Sequence, residues 1–429
     1  VSPTFRSLAN PDYRLFFIGA LVSNTGTWMS RVAQDWLVLV DLTGYSAAAL
    51  GMITGLQFLP MLLLAPWTGV VADRYPKRRV LAITQSAMAL TSGLLAVLVL
   101  TGAVRLWHVA ALAAAQGVAA AVDAPARQAF VSEVVGADLI SNAVGLNSAA
   151  FNGARLLGPG LAGLLIAAAG TGWVFALNAV SFLGLLAALA MMSPGVAARP
   201  RAGAHGLREG LRYVRGRPDI MLLMAVVFLL GTFGMNFQMT TALMATTVYH
   251  KGPQEFGLLG TIMAVGSLSA ALLAARRPQP RMRVVVAALV GFAVSSCAAA
   301  LAPTYELFAV LLVPVGLSAL TVLPTANSLV QLSTAPEMRG RVMSLYMAIF
   351  LGGTPLGAPL LGWVGDAWGA RWTILVGSIA ALIAAAGAMI ALMRLQQVRV
   401  RFRRHSRPHV SLASTRTDLT APAPAGVAR

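Results

Sequence analysis

Twelve stretches of mostly apolar residues divide this chain, and that feature leaves few folds open to it. A helix needs about 20 such residues to cross the hydrocarbon core of a bilayer. The stretches run roughly over 15–40, 46–71, 80–101, 106–131, 141–169, 172–192, 219–248, 256–275, 284–302, 305–332, 342–365 and 371–393. Inside a bilayer no water satisfies backbone N–H and C=O groups, so segments of this length must be helical. Hydrophobic residues make up 58% of the 429 and charged residues only 11%. A soluble domain carries about 25% charge, which argues against a soluble enzyme and, away from the ends, against disorder. The expectation is an all-α membrane protein with twelve transmembrane helices.

The positions of the charges set its orientation. The formal net charge is +18, but the basic residues cluster between the apolar stretches and not along one amphipathic face. With the N-terminus placed in the cytoplasm, 27 Lys and Arg fall in cytoplasmic segments and three in outer loops. Arg31 and Arg155 lie within apolar stretches. A bias of this size predicts both termini on the cytoplasmic side of the cell (inner, cytoplasmic) membrane and accounts for the net charge without nucleic acid. Residues 1–14 are polar and basic and no small-residue cleavage site follows, so the first apolar stretch is expected to remain as a span. One cysteine, Cys297, and scattered histidines give no metal cluster and no intrachain disulfide, and no cofactor is expected.

The chain repeats. At an offset of 199 residues, Gly158 meets Gly357, Gly163 meets Gly362, Pro125 meets Pro324, Gly170 meets Gly369 and Trp173 meets Trp372. Asn10-Pro11-Asp12 parallels Arg217-Pro218-Asp219. The expected organisation is a six-helix half over 1–192, a cytoplasmic basic linker over 193–218, a second half over 219–393, and a basic, disordered cytoplasmic tail over 394–429. Two halves in parallel, pseudo-two-fold repeat suit a site between them.

The segment Gly69-Val70-Val71-Ala72-Asp73-Arg74-Tyr75-Pro76-Lys77-Arg78-Arg79 resembles motif A of the major facilitator superfamily and sits between spans 2 and 3, where that family has it. The corresponding loop of the second half, Arg276 to Arg283, keeps the positive charge and lacks the acid. Further features narrow the resemblance: Gly26-Thr27-Trp28-Met29 and the following Gln34-Asp35-Trp36 in span 1, Pro125-Ala126-Arg127 at the end of span 4, and Asn147, Arg155 and Gly158-Pro159 in span 5. These look like the branch that includes the enterobactin exporter and related efflux proteins. Gly158, Pro159 and Gly163 are similar to the span-5 motif of drug/proton antiporters, with Ala154 and Ala162 standing where that motif has Gly.

The resemblance implies a rocking fold with spans 1, 4, 7 and 10 around a central cavity. It implies that Asp73 faces the start of span 11, near 341–344, in a cytoplasmic gate with Gly69, Arg74, Lys77, Arg78 and Arg79. The basic cluster is expected to pair with Asp123 on span 4, near Arg127. For Lys77, Arg78 and Arg79 singly, a topological anchor is an equal reading. Ionisable groups within spans are costly and each is a functional candidate. Asn24, Trp28, Arg31 and Asp35 recur at helical spacing and form one stripe. Asn147, Phe151 and Arg155 form another on span 5. Asp35, with Arg31, is the first candidate for carrying a proton, and Asp123 the second. Asp123 with Arg127 reads equally as a local i,i+4 pair. Phe233, Phe237 and Gln238 on span 7 are candidate ligand contacts.

The leading functional reading is a secondary exporter of small amphiphilic molecules by alternating access with proton antiport. It acts as a monomer, with the small-molecule substrate, protons and the lipid bilayer as its partners. An importer or facilitator of the same fold, and a non-transporting scaffold or receptor, stay open. No nucleophile–base set and no phosphate-binding Gly loop supports an enzyme. Arg31 and Arg155 against Asp35 point to anionic or zwitterionic ligands, with Asp123 balancing the count.

Overall fold

Each apolar stretch satisfies its own backbone by forming a helix. The structure, a computed structural model, describes residues 3–136, 138–193, 207–275, 279–396, 399–402 and 410–413. Span 1 runs Pro11–Trp36 and continues through a widened turn, Leu37–Leu42. Spans 2 to 6 are Ala47–Arg74, Lys77–Leu100, Leu106–Val134, Ile140–Ala169 and Thr171–Met191. Spans 7 to 12 are Pro218–Val248, Pro253–Ala275, Met282–Leu301, Tyr305–Ser333, Arg339–Trp368 and Ala370–Gln396. Among the described residues, eleven helices are long and apolar enough to cross a membrane. Span 1, which carries Arg14, Arg31 and Asp35 along its length, makes the twelfth.

The helix ends follow from local chemistry. Asn10 caps span 1 by accepting from the N–H groups of Asp12 and Tyr13, with Pro11 in the first turn, where its missing N–H costs nothing. The Asn10 amide also donates to the Val134 carbonyl at 3.0 Å, fastening span 1 to span 4. Span 7 also opens on a proline, Pro218, but without a side-chain cap; there Arg217 pairs with Asp219 at 2.7 Å. Spans 5 and 11 both stop at a glycine in the left-handed region, Gly170 (φ 86°) and Gly369 (φ 94°). The 199-residue repeat is therefore a repeat of elements. Spans 4 and 10, and spans 5 and 11, begin and end at that offset.

Span 7 is broken. Widened turns at Leu230–Gly234 and Met244–Val248 flank Phe237–Leu243, and the Asn236 amide donates to the Thr232 carbonyl at 2.7 Å across the interruption. Within 193–218, Leu207–Arg215 is helical and lies on the start of span 11, with Glu209 bonded to Arg341 at 2.6 Å. Within 394–429, residues 394–396 complete span 12, and Arg399–Phe402 and Val410–Ala413 form an antiparallel pair, in keeping with their alternating sequence. The other residues of that stretch lie outside those described.

The halves meet through spans 2 and 11 and spans 5 and 8. The joining contacts run from the middle of the bundle to the end away from the termini. Trp36 stacks on Phe256 at 6.4 Å, and Thr261 donates to the Leu156 carbonyl at 2.9 Å. A side chain at Gly257 would strike Pro159 and Gly163, so only glycine lets spans 5 and 8 close there. Toward the termini the same face of span 5 has no cover: Ser141, Val144, Gly145, Ser148 and Phe151 are exposed, whereas Gly158, Pro159, Ala162 and Gly163 are buried. The bundle is thus shut at the far end and parted at the end that carries the termini. Trp107, Trp173, Trp368 and Trp372 are exposed near the far end, where an aromatic belt marks a membrane–water interface.

The far-end closure carries a latch that no sequence motif announced. Asp366, at the end of span 11, accepts from the N–H of Ala47 at 2.6 Å, the N–H of Ala48 at 3.1 Å and the Ser46 hydroxyl at 3.1 Å. A carboxylate on a helix N-terminus contributes up to about 2 kcal/mol when partly buried. Asp366→Asn should therefore weaken far-end closure by about 1–2 kcal/mol. Spin labels at Ala103 and Pro303, with Cys297 replaced by Ser, should show a larger long-distance population in the variant; an unchanged distribution would exclude the latch. Tyr13 is fully buried and its hydroxyl donates to the Ala143 carbonyl at 2.8 Å. Tyr13→Phe should cost about 1–3 kcal/mol by leaving that carbonyl unpaired, read as a lower thermal midpoint in detergent.

Candidate functional site

Span 1 lays Asn24, Trp28, Arg31 and Asp35 along one stripe that becomes more buried toward the closed end. Asn24, Trp28 and Arg31 are partly exposed, and Asp35 is only 5% exposed. Among the described residues Asp35 makes no hydrogen bond and no ion pair within 4.0 Å. A buried carboxyl without a partner is expensive in a membrane, which makes it a functional candidate. The Arg31 guanidinium lies over Trp28 at 4.9 Å and Phe58 at 5.3 Å, and its Nε has no hydrogen-bond partner among the described residues. Arg31 also lines a small cavity with Thr27, Gln57, Phe58, Met88 and Gln116.

Span 5 brings a second stripe to the same place. A side chain at Gly158 would come within 2.6 Å of Trp28 Cβ, so glycine there allows span 5 to press on span 1. That approach places the Arg155 guanidinium 5.7 Å from the Trp28 ring and Phe151 edge-on to it at 5.9 Å. Asn147 lies two turns further toward the open end and is half-buried. Pro159 and Gly163, the other motif residues, face span 8 and serve the joint between halves.

The pairing expected for the basic cluster is not the one observed. Asp123 is fully occupied on its own side of the bundle. Its Oδ1 accepts from Thr84 at 2.8 Å and Gln85 at 2.7 Å, and its Oδ2 from Arg127 at 3.0 and 2.8 Å. One turn of helix separates Asp123 from Arg127, so the local pair forms without any cost of bringing chains together. Lys77 pairs instead with Glu133 at 3.0 Å, an acid in the last turn of span 4 that the sequence reading passed over. The signal was its position, since span 4 ends beside the start of span 3. Arg78 donates to the carbonyls of Ala190 and Ser193 at the end of span 6. Arg74 and Arg79 are exposed. Gly69, as to its surroundings, and the side chain of Asp73 lie outside those described.

On span 7, Phe233 and Phe237 face inward within their own half. They line a cavity with Asn236, Thr240, Phe292 and Thr373, all from spans 7, 9 and 12, and Phe237 meets Phe292 edge-on at 5.9 Å. Both rings thus meet residues of spans 9, 10 and 12 of their own half. Gln238 is partly exposed, and its Nε2 is without a partner among the described residues.

Comparison with known proteins accords with this architecture. Residues 2–416 match the family described as Transmembrane secretion effector. The multidrug efflux pump Tap of Mycolicibacterium fortuitum is 30% identical over 86% of this chain and 93% of its own length. The staphyloferrin A transporter of Staphylococcus aureus is 26% identical over 61% of this chain and 66% of its own. Among solved structures, a bacterial homologue of the human lysosomal transporter Spinster, in an inward-facing, unoccupied conformation, superposes with a TM-score of 0.72. It is 15% identical over 89% of this chain and 97% of that one. The chain belongs to the transmembrane secretion effector family of the major facilitator superfamily, and it is a multi-pass membrane transporter, not an enzyme.

Proposed function

We propose that this transporter exports small amphiphilic molecules by alternating access, in exchange for protons, across the cell membrane with both termini in the cytoplasm. The observation that carries the reading is the shape of the joint between halves: packed at the far end, parted at the termini end. With the termini inside, this is an inward-open state. Rocking about the glycine-lined joint of spans 5 and 8 would open the far end. The named activities of the efflux-pump relatives support export over import.

Asp35 is the group we assign to proton exchange. It lies past the charged and aromatic patch, next to the closed end, and is buried without a hydrogen-bond partner among the described residues. In the outward-open state it would take up a proton from outside; in the present state it would release it. Asp123 is the weaker candidate, since four donors already hold its carboxylate. The Lys77–Glu133 pair and Asp73 belong, in this reading, to the cytoplasmic gate that forms when the open end closes.

The test uses everted vesicles with an acid interior and a pH dye. A panel of lipophilic anions, cations and neutral compounds should partly collapse the gradient through the wild-type chain. Asp35→Asn should insert to the same level and abolish that collapse. Undiminished collapse by the variant sinks the assignment, and no collapse by the wild type with any compound removes proton exchange.

A further inference from the structure

The charge balance of the cavity follows from Asp123 and not from the total. Four ionisable groups lie within the spans of the first half near the cavity, with Arg127 at the edge. The occupied carboxylate of Asp123 neutralises Arg127 at 2.8 Å, which removes both from the count. Arg31, Arg155 and Asp35 remain, an excess of positive charge whatever the state of Asp35. Arg155 has no hydrogen bond and no ion pair among the described residues, and its guanidinium lies 5.7 Å from the Trp28 ring. Arg31 contacts the same ring at 4.9 Å. Two guanidiniums sharing one indole repel each other, and cation–π contact offsets only part of the cost of holding them away from water. Phe151, edge-on to Trp28, is 46% exposed on the open side. The patch therefore presents an apolar, flat surface backed by unpaired positive charge.

We propose that the transported molecules carry a carboxylate or similar anionic group, which pairs with Arg155 and with Arg31 beside Trp28 while their apolar body lies on Trp28 and Phe151. This rests on the transport reading for the site being a substrate site, and not on the proton exchange. A guanidinium binds a carboxylate through two parallel N–H···O bonds, and an ammonium or ester cannot reproduce them. A lipophilic cation meets net repulsion at the same place.

The experiment measures binding without any gradient, so that it stands or falls apart from proton coupling. The full chain is placed in nanodiscs of zwitterionic lipid. Three probes with one pyrene body, a carboxylate, its methyl ester and a trimethylammonium analogue, are titrated by fluorescence anisotropy. The carboxylate should bind roughly tenfold or more tightly than either neighbour, the size of a charge-assisted hydrogen bond. Arg155→Gln should erase that preference, Arg155→Lys should restore part of it, and Trp28→Leu should weaken all three probes alike. Equal or tighter binding of the cation overturns the proposal, as does a preference that survives Arg155→Gln. Loss of carboxylate binding on adding anionic lipid would make a lipid headgroup the occupant and overturn the small-molecule form. Carboxylate binding by a chain that moves none of these probes across a vesicle membrane would keep the anion site and overturn its role in transport, and with it this proposal.

Discussion

The close approach of small residues where the halves meet is the contact on which the rest of the architecture depends. Lipid tails are as apolar as leucine, so helices in a bilayer associate through tight packing and not through the hydrophobic effect. Here that packing is built from Gly257 against Pro159 and Gly163, from Gly163 against Pro253 and Gln254, and from Gly51 and Gly362 along spans 2 and 11. Such contacts hold firmly at one end without bulky interlocking side chains, and a joint of this kind can tilt. It confines the closure to the far end and leaves the opposite end of span 5 uncovered. The same tight packing, between spans 1 and 5 at Gly158, brings Arg155 to Trp28.

Charge is distributed according to what each group can reach. Asp123 and Arg127 are one helical turn apart and neutralise each other with help from Thr84 and Gln85. Lys77 finds Glu133 at the near end. Asp366 finds a helix N-terminus at the far end, with no cation involved. Arg31 and Arg155 are left over the Trp28 ring, with Asp35 one turn beyond Arg31, and the three make no hydrogen bonds to one another. A structural scaffold gains nothing from three such groups in a membrane, whereas a transporter needs groups that are free to change partners.

The two ends of the bundle use related devices. At the far end an acid on span 11 caps the start of span 2. The motif at the other end of span 2 places an acid, Asp73, where the resemblance expects it to meet the start of span 11. The relation follows from the parallel repeat and from the rule that helix N-termini attract negative charge. It was legible only in part, because motif A has a recognisable spacing while a single acid at Asp366 has none.

Much of the fold was open to reading from residues alone. Helix number and limits follow from the requirement that each span satisfy its own backbone, a local property. The repeat, the glycine stops at Gly170 and Gly369, the cap at Asn10 and the proline start at Pro218 are likewise local. What only the tertiary structure decided are the relations between spans: that Glu133 and not Asp123 takes Lys77, that Phe233 and Phe237 turn into their own half, that Arg155 joins Arg31 at Trp28, and which end is shut. Those depend on helix rotation and on residues far apart in the chain. A periodic apolar pattern says which face avoids lipid, but several polar neighbours compete for that face, and close packing in three dimensions chooses among them.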